Sequence, residues 1–527
     1  MKATIGQLIE WSARNYPDKT GLVDLEKGQR WTFAEWDRDV NKMANLLRQL
    51  GVNKGDVVSV FLYNTSEFVT TLFAAAKIGA IFNPINYRLT SGELQFILND
   101  AQTKVLVFEE RVVDVVTRTR EHGVPVQHYL YANENPPAYA QNLSSLLAGV
   151  QDDRPDVAVS ETDPYIMMYT SGTTGRPKGV IHPHRNMITQ NFIMLECMGI
   201  TRNDVGLSVA PLNHTAELHT SFLPRVQIGA TNLLLPMFDP EKVLKVIEQE
   251  RVTHLFAAPT MVNMLLNTNG LEKYDLSSLR MLGYGGASMA PALIRLFKEK
   301  VGADLVQMYG TTEMGPVMSV LYADEQLAKA GSAGKAVMNH ELRVVRPEPD
   351  GSPSRPDNLC EVGEAGEIIV RGPCMMLEYY NRPEATEKAL AYGWYHTGDV
   401  GVIDEEGYLW IRDRMDHTII SGAENIYPRE VEDCLIEHPG VLEAAVVGKP
   451  DEKWGEIVVA FVVRQPGSQV TAEELDQFLV EGDKLARYKR PREYYFVDSL
   501  PKTASGKMQK FVLEQQLKEQ ANQRMGG

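Results

Sequence analysis

The sequence predicts an α/β protein with a large N-terminal domain of two mostly parallel sheets, a small β-barrel-like subdomain, and a smaller α+β C-terminal domain. Three observations predict it. Apolar strand-like runs alternate with helix-like segments through the first half of the chain and on to about Val320. Prolines at 347, 349, 353 and 356 then crowd one stretch, and short glycine-punctuated β segments follow it. From about Asp416 the tail has helices and strands of its own. A chain of 527 residues has room for three or four domains or subdomains and a large buried core.

Taken in order, Trp31-Thr32-Phe33 leads into a helix through Leu50, and Asp56–Leu62 is a buried-type strand. A helix spans about Ser66–Gly79, within the most apolar stretch, Phe68–Phe82. That stretch is short and carries Lys77, so it reads as a core helix and not a membrane span. Val105–Phe108 is another strand, and the acidic Gln151–Pro164 segment separates a first region from the strand Tyr165–Tyr169. Beyond the proline-rich loop, Gly366–Gly372 and Gly407–Ile411 suggest a small antiparallel sheet or barrel. In the tail, Pro428 starts a helix that Gly440 ends. Val441–Gly448, Glu456–Val463 and Glu493–Val497 are strands, and Thr471 with Glu474 makes a capping box for a helix through Val480.

Composition excludes several classes. The 44% apolar and 23% charged fractions are those of an ordinary globular protein, not of a disordered or fibrous one. A net charge of −16 argues against a general nucleic-acid binder, which needs a basic surface. Cys197, Cys360, Cys374 and Cys434 are too few for a disulfide scaffold and show no C-x-x-C or zinc-type spacing, so buried reduced thiols and a cytoplasmic location are expected. The N-terminal residues have a helical rhythm and scattered charges, not a signal-peptide block.

The strongest chemical signal is Tyr169-Thr-Ser-Gly-Thr-Thr-Gly-Arg-Pro-Lys-Gly-Val180. An apolar strand runs into a loop of glycines and hydroxyls (Thr170, Ser171, Gly172, Thr173, Thr174, Gly175) with Lys178 close behind, and a helix begins near His184. Such a loop can close backbone N–H groups on phosphate oxygens. A plain βα loop would be the better reading of a shorter pattern. No Walker A motif occurs: Gly331-Ser-Ala-Gly-Lys335 is too short, and Gly283-Tyr-Gly-Gly-Ala-Ser288 is not a dinucleotide fingerprint.

With further segments in order, the chain resembles the adenylate-forming superfamily of acyl-CoA synthetases, luciferases and peptide-synthetase adenylation domains. The likeness is greatest to bacterial-type fatty acyl-CoA synthetases. The segments are Pro211-Leu-Asn-His214, Gly285-Gly-Ala-Ser288, Gln307-Met-Tyr-Gly-Thr-Thr-Glu313, Tyr395-His-Thr-Gly-Asp399, Arg414-Met-Asp416, Ser421-Gly-Ala-Glu-Asn-Ile426 and Pro501-Lys-Thr-Ala-Ser-Gly-Lys507. The resemblance implies that ATP adenylates a carboxylate with release of pyrophosphate, after which a thiolate displaces AMP. It implies Mg²⁺ and CoA as well as ATP.

It also implies roles. Bringing an anion to a polyanion requires cationic stabilisation, and Lys507 resembles the lysine that bridges carboxylate and α-phosphate. Glu313 looks like the Mg²⁺ carboxylate, Thr312 a donor to the α-phosphate, and Tyr309 the ring stacked on adenine. Gly286, Ala287 and Ser288 would pass the adenine and acyl carbonyl, with Gln307, Gly310 and Thr311 in the same AMP-binding set. Asp399 and Arg414 would hold the ribose. His214 resembles an aromatic gate of the carboxylate pocket. Its spacing of five to His219 puts the two rings roughly 140° apart on a helix, which argues against a zinc pair. His182 and His184 read as structural.

Asp416 resembles a hinge within 414–416, dividing an N-terminal domain 1–413 (subdomains about 1–163, 164–330 and 331–413) from a mobile domain 417–527 that carries Lys507. Asp413 stands where Gly often precedes the Arg, and Ala423 where a second Gly is common, which bears on thiol entry. Gly422 and Trp454 match positions on a pantetheine path, and Arg487, Tyr488, Lys489 and Arg490 resemble a CoA-nucleotide segment. Lys484–Lys510 holds eight Lys/Arg against two Asp/Glu, a local +6. The acyl pocket is expected around Thr215–Pro224 and Met314–Met318, with Glu217 and His219 facing solvent or a polar acyl group. The expected carboxylate is a medium- or long-chain fatty acid, with an aromatic acid as the alternative. A carrier-protein-loading adenylation enzyme and an ATPase-like nucleotide-binding module are the competing functions. No nucleic-acid partner and no transmembrane segment are expected; peripheral membrane contact and a homodimer are compatible with the resemblance.

Overall fold

A computed structural model describes residues 3–170, 177–421, 424–451, 454–480, 485, 489–502 and 508–525. The chain divides into two compact units, one comprising 1–342, 370–395 and 407–409, the other 343–369, 396–406 and 410–527. The second unit therefore takes in β segments that the sequence reading assigns to the N-terminal domain.

The first unit carries two large, mostly parallel sheets. In one, six parallel strands (Asp304–Gly310, Met281–Gly285, His254–Phe256, Val205–Ser208, Thr231–Leu234 and Thr20–Asp24) lie side by side, with antiparallel strands at both edges. In the other, the strand Pro164–Thr170 joins a parallel set centred on Val57–Phe61 and pairs antiparallel with Lys178–Pro183. The first unit's own cores are apolar and continuous, as sheets covered on both faces require.

Local signals explain the element boundaries. Thr32 accepts from the Glu35 N–H while the Glu35 carboxylate accepts from the Thr32 N–H, which starts the helix Phe33–Gln49. The helix Ser66–Ile78 ends because Gly79 turns left-handed at φ 70°. The apolar run Phe68–Phe82 is thus not one helix: Ile81–Pro84 is a buried strand. Lys77 is buried in that helix and donates to Asp37 and Asn41 at 2.6 Å each.

In the second unit a four-stranded sheet includes Gly366–Arg371, Tyr395–Ile403 and Leu409–Arg414, the sheet and not the barrel of the two forms the sequence suggests. A five-stranded sheet is built on the long hairpin Val441–Asp451 and Gly455–Arg464, with Glu493–Phe496 added in parallel. The Thr471–Glu474 box forms as expected. The helix Pro428–Ile436 stops before Gly440, which lies in the turn entering the next strand. Cys197 and Cys374 are buried and their thiol pKa values are raised by burial, but Cys360 and Cys434 are only half-buried. Among the described residues no helix is long and apolar enough to cross a membrane.

One buried charge depends on a glycine. The Arg225 guanidinium, wholly buried, donates to Asn232 at 3.0 Å and Ser208 at 2.7 Å and lies 3.6 Å from Glu217. A Cβ at Gly206 would sit 2.2 Å from Arg225 Cδ. Gly206→Ala is expected to push Arg225 off Glu217 and cost about 3–5 kcal/mol, as breaking a buried ion pair does. Urea unfolding checks it; a loss below about 1 kcal/mol would show that the guanidinium relocates freely.

Candidate active site

In open α/β sheets, ligand-handling loops gather at the carboxyl ends of parallel strands. Met281–Gly285 and Asp304–Gly310 are parallel neighbours with Gly285 opposite Met308. Gly286-Ala287-Ser288 and Thr311-Thr312-Glu313 therefore leave the sheet side by side. Gly286 adopts φ 78°, and it and Ala287 are exposed while Ser288 is half-buried. Tyr309 is half-buried at the end of its strand. Gln307, on the same face two residues earlier, is buried and accepts a hydrogen bond from the Tyr284 hydroxyl at 2.9 Å, so it stands beneath the strand ends and not at their exposed rim.

Glu313 is 8% exposed in a short 3₁₀ turn, Thr312–Met314. Its Oε1 accepts from the Tyr379 hydroxyl at 2.8 Å, and its carbonyl accepts from the Met376 N–H at 2.7 Å. His182 Nε2 lies 2.7 Å from the Thr312 carbonyl and must donate to it; burial drives the His182 pKa down to about 4, so the ring is neutral. Thr311 Oγ1 is buried with no protein partner, a donor and acceptor left for a ligand. Thr170 and Lys178 face each other across the hairpin whose connecting residues include the glycine- and hydroxyl-rich loop. Lys178 Nζ lies 4.2 Å from the centre of the Tyr379 ring, a cation–π contact. Tyr379 thus touches both the carboxylate and the lysine predicted for phosphate and metal handling. Sequence reasoning missed it: Tyr379-Tyr380 carries no motif, and only the antiparallel pairing of Glu378–Tyr379 with Val180–Ile181 brings it there.

His214 is exposed at the start of a short helix, and its Nδ1 accepts from the Ala216 N–H. The next residues correct an expectation. Glu217 and His219 do not face solvent; both are wholly buried. His219 hydrogen-bonds Tyr165 through Nε2 and Thr215 through Nδ1, and burial holds its pKa well below the usual range. Burial pushes Glu217 up to about 7, opposed by Arg225.

In the second unit, Arg414 Nη1 donates to Asp399 Oδ1 at 2.8 Å and to the Thr397 carbonyl at 2.9 Å. Asp399 lies on the strand Tyr395–Ile403, and its N–H donates to Thr397 Oγ1. Gly398 has φ 66°, and a Cβ there would meet Arg414 Nη2 at 3.2 Å. The structure therefore brings Asp399 and Arg414 together. The Trp454 ring stacks with Arg492 at 4.5 Å. Lys489 donates to Glu430 at 2.7 Å and Arg490 to Asp476 at 2.6 Å.

Comparisons with known proteins agree with this arrangement. A family model described as AMP-binding enzyme matches residues 9–380, and one described as AMP-binding enzyme C-terminal domain matches 430–507. This chain belongs to the AMP-binding enzyme family. Among curated relatives, the long-chain-fatty-acid–CoA ligase FadD13 of Mycobacterium tuberculosis is 36% identical over 97% of this chain and 98% of its own. The feruloyl-CoA synthase of an Amycolatopsis species is 39% identical over 94% and 96%. Among solved structures, o-succinylbenzoate coenzyme A synthetase from Bacillus subtilis in complex with ATP and a magnesium ion superposes with a TM-score of 0.84 at 32% identity, over 98% and 100%. The protein is an acid–thiol ligase of this adenylate-forming family.

Several predicted residues lie outside the described ones: Ser171, Gly172, Thr173, Thr174, Gly175, Gly422, Arg487, Tyr488 and Lys507, together with the side chain of Asp416. A cavity of about 470 Å³ lined by Asn339, His340, Glu341 and Arg371 contains none of the predicted site residues, and its Arg371 is paired with Glu341.

Glu217 makes a pH prediction. Its folded pKa lies above the unfolded carboxylate value, so its stabilising contribution is fully present below about pH 4.5 and is lost as pH rises through about 7. Glu217→Gln removes that loss. Its stability relative to the native protein should improve between pH 5 and pH 8, by on the order of 1–3 kcal/mol. Denaturation at the two pH values checks the trend; a pH-independent difference would contradict it.

Proposed function

We propose that the protein is an AMP-forming acyl-CoA synthetase that adenylates a carboxylic acid with ATP and passes the acyl group to CoA. The observation carrying this reading is the paired Gly-Ala-Ser and Thr-Thr-Glu loops at neighbouring strand ends, with Glu313 held by Tyr379 and an unpartnered Thr311 hydroxyl beside it.

The chemistry of these residues fits a nucleotide held with Mg²⁺. Glu313 would supply a hard carboxylate oxygen, the donor type Mg²⁺ takes. Mg²⁺ supplies charge neutralisation on the phosphates when bound. Tyr379 orients the Glu313 carboxylate, and His182 fixes the Thr312 backbone so that the Thr312 hydroxyl meets the α-phosphate. Asp399 and Arg414 hold the ribose. Lys507 supplies the positive charge needed when the carboxylate oxygen attacks the α-phosphorus and pyrophosphate leaves. CoA sulfur then attacks the acyl carbonyl and AMP leaves, after a rotation about Asp416 that withdraws Lys507. Gly422, Trp454 and the 487–490 segment line the approach of CoA. The protein works in the cytoplasm on small molecules.

A medium- or long-chain fatty acid is the acyl substrate under the first reading, in line with the relative FadD13. A second reading, an aromatic acid, is supported by the feruloyl-CoA synthase relative.

Product analysis with ATP, Mg²⁺, CoA and a carboxylate panel ranked by kcat/KM tests both. Acyl-CoA, AMP and pyrophosphate are expected; ADP and phosphate would sink the proposal, and the ranking chooses the acid. Lys507→Ala should slow adenylate formation by about 10²–10³ or more while thioester formation from supplied acyl-adenylate persists. Equal losses in both steps would contradict the swinging-domain assignment. Tyr379→Phe should raise the Mg²⁺ concentration giving half-maximal rate by several-fold, about what one lost hydrogen bond to a charged group produces. An unchanged Mg²⁺ dependence would remove Tyr379 from the site.

A further inference from the structure

We infer that Lys510 is a positioning residue for the adenylation step, tying the chain that follows Lys507 to the strand end that precedes the 414–416 hinge. The inference rests on the function proposed above. Lys510 opens the helix Lys510–Met525, and its ammonium is buried, 7% exposed. Nζ lies 2.9 Å from Glu432 Oε1 on the helix Pro428–Ile436 and 3.6 Å from Asp413 Oδ2 at the end of the strand Leu409–Arg414.

Both carboxylates are themselves anchored. Asp413 Oδ1 accepts from the Arg414 N–H at 2.7 Å, and Oδ2 accepts from the Arg429 N–H at 2.8 Å, satisfying a first-turn donor of the Pro428–Ile436 helix. His417 Nδ1 lies 3.4 Å from the same carboxylate. Glu432 Oε1 accepts from the Val446 N–H at 2.7 Å, reaching the central hairpin. The Arg429 guanidinium faces away to Asp433. One ammonium therefore joins three segments, the hinge-proximal strand, the following helix and the last helix, and Glu432 links that junction to the hairpin.

The spacing gives this cluster its consequence. Asp413 precedes the hinge residue Asp416 by three positions, and Lys510 follows Lys507 by three. Three residues span at most about 11 Å, so a shift of Lys510 is felt at Lys507. Met508 also bridges Lys502, which fixes the chain directly after Lys507. Burying three charges costs desolvation that apolar side chains would avoid; what the charges add is one defined geometry.

The test uses the full chain, ATP, Mg²⁺ and the best acid of the panel. Lys510→Met is expected to slow single-turnover acyl-adenylate formation about 10- to 100-fold, the scale of a small misplacement. The KM for ATP and thioester formation from supplied acyl-adenylate should stay within about threefold, and Lys510→Arg should restore most of the rate. Asp413→Asn, whose single amide oxygen can accept only one of the two backbone N–H groups, should give the same split in weaker form, and serves if Lys510→Met fails to fold. Equal slowing of both half-reactions, or an undisturbed adenylation rate, overturns the inference. A native enzyme that forms no acyl-adenylate with any acid would instead overturn the proposed function.

Discussion

The close approach of two strand ends governs the rest of the site. Gly285 lies opposite Met308, and a Cβ at Gly285 would come within 2.6 Å of the Met308 carbonyl. At Gly310 a Cβ would come within 1.8 Å of the Pro316 carbonyl. Neither position admits another residue without moving backbone. The glycines allow the loop after one strand to lie against the turn after its neighbour, and Glu313 reaches Tyr379 only because that turn closes tightly. The glycine content here follows from chain crossing, a steric requirement, more than from conformational freedom.

Elements whose ends are set by local chemistry were legible in the sequence. The boxes Thr32–Glu35 and Thr471–Glu474, Pro428 at a helix start and the strand ending at Thr170 all rest on neighbours a few residues apart, but the antiparallel strand Lys178–Pro183 that precedes the helix at His184 is absent from the sequence reading. What failed depends on contacts distant in sequence. The helix end at Gly79 is legible, but an apolar run cannot show that Ile81 opens a parallel strand beside Val57. Periodicity cannot show that Glu217 meets Arg225, or that His219 on its helical turn meets Tyr165 on a strand, so the sequence alone leaves both facing outward or toward substrate. Tyr379 was invisible for the same reason, since its role arises from strand pairing with Val180.

Charge shows the same limit more sharply. The +6 of Lys484–Lys510 looks like an open basic face when only that segment is counted. In the folded second unit, Lys489, Arg490, Lys502 and Lys510 pair with Glu430, Asp476, Glu443 and Glu432, all outside the segment. Four of the five cations among the segment's described residues are therefore already ion-paired. For a CoA phosphate to use Lys489 or Arg490, it must displace a carboxylate. That exchange loses one ion pair as it gains another, so net attraction is smaller than the local count suggests and more sensitive to salt.

The partnered lysines are not equivalent, and burial separates them. Lys502 and Lys489 are accessible enough for water to share their charge, so their pairs add little to stability. Lys510 is enclosed, its two carboxylates lie on different segments, and burial raises the Glu432 pKa while hydrogen bonds and the lysine hold Asp413 below the usual range. A buried charge bound this way has few alternative arrangements. If the C-terminal segment must present a lysine to the α-phosphate and later withdraw it, the body carrying that lysine must move as a unit. A single ammonium joining the strand end and two helices, linked through Glu432 to the hairpin, provides that rigidity, which the more exposed pairs cannot.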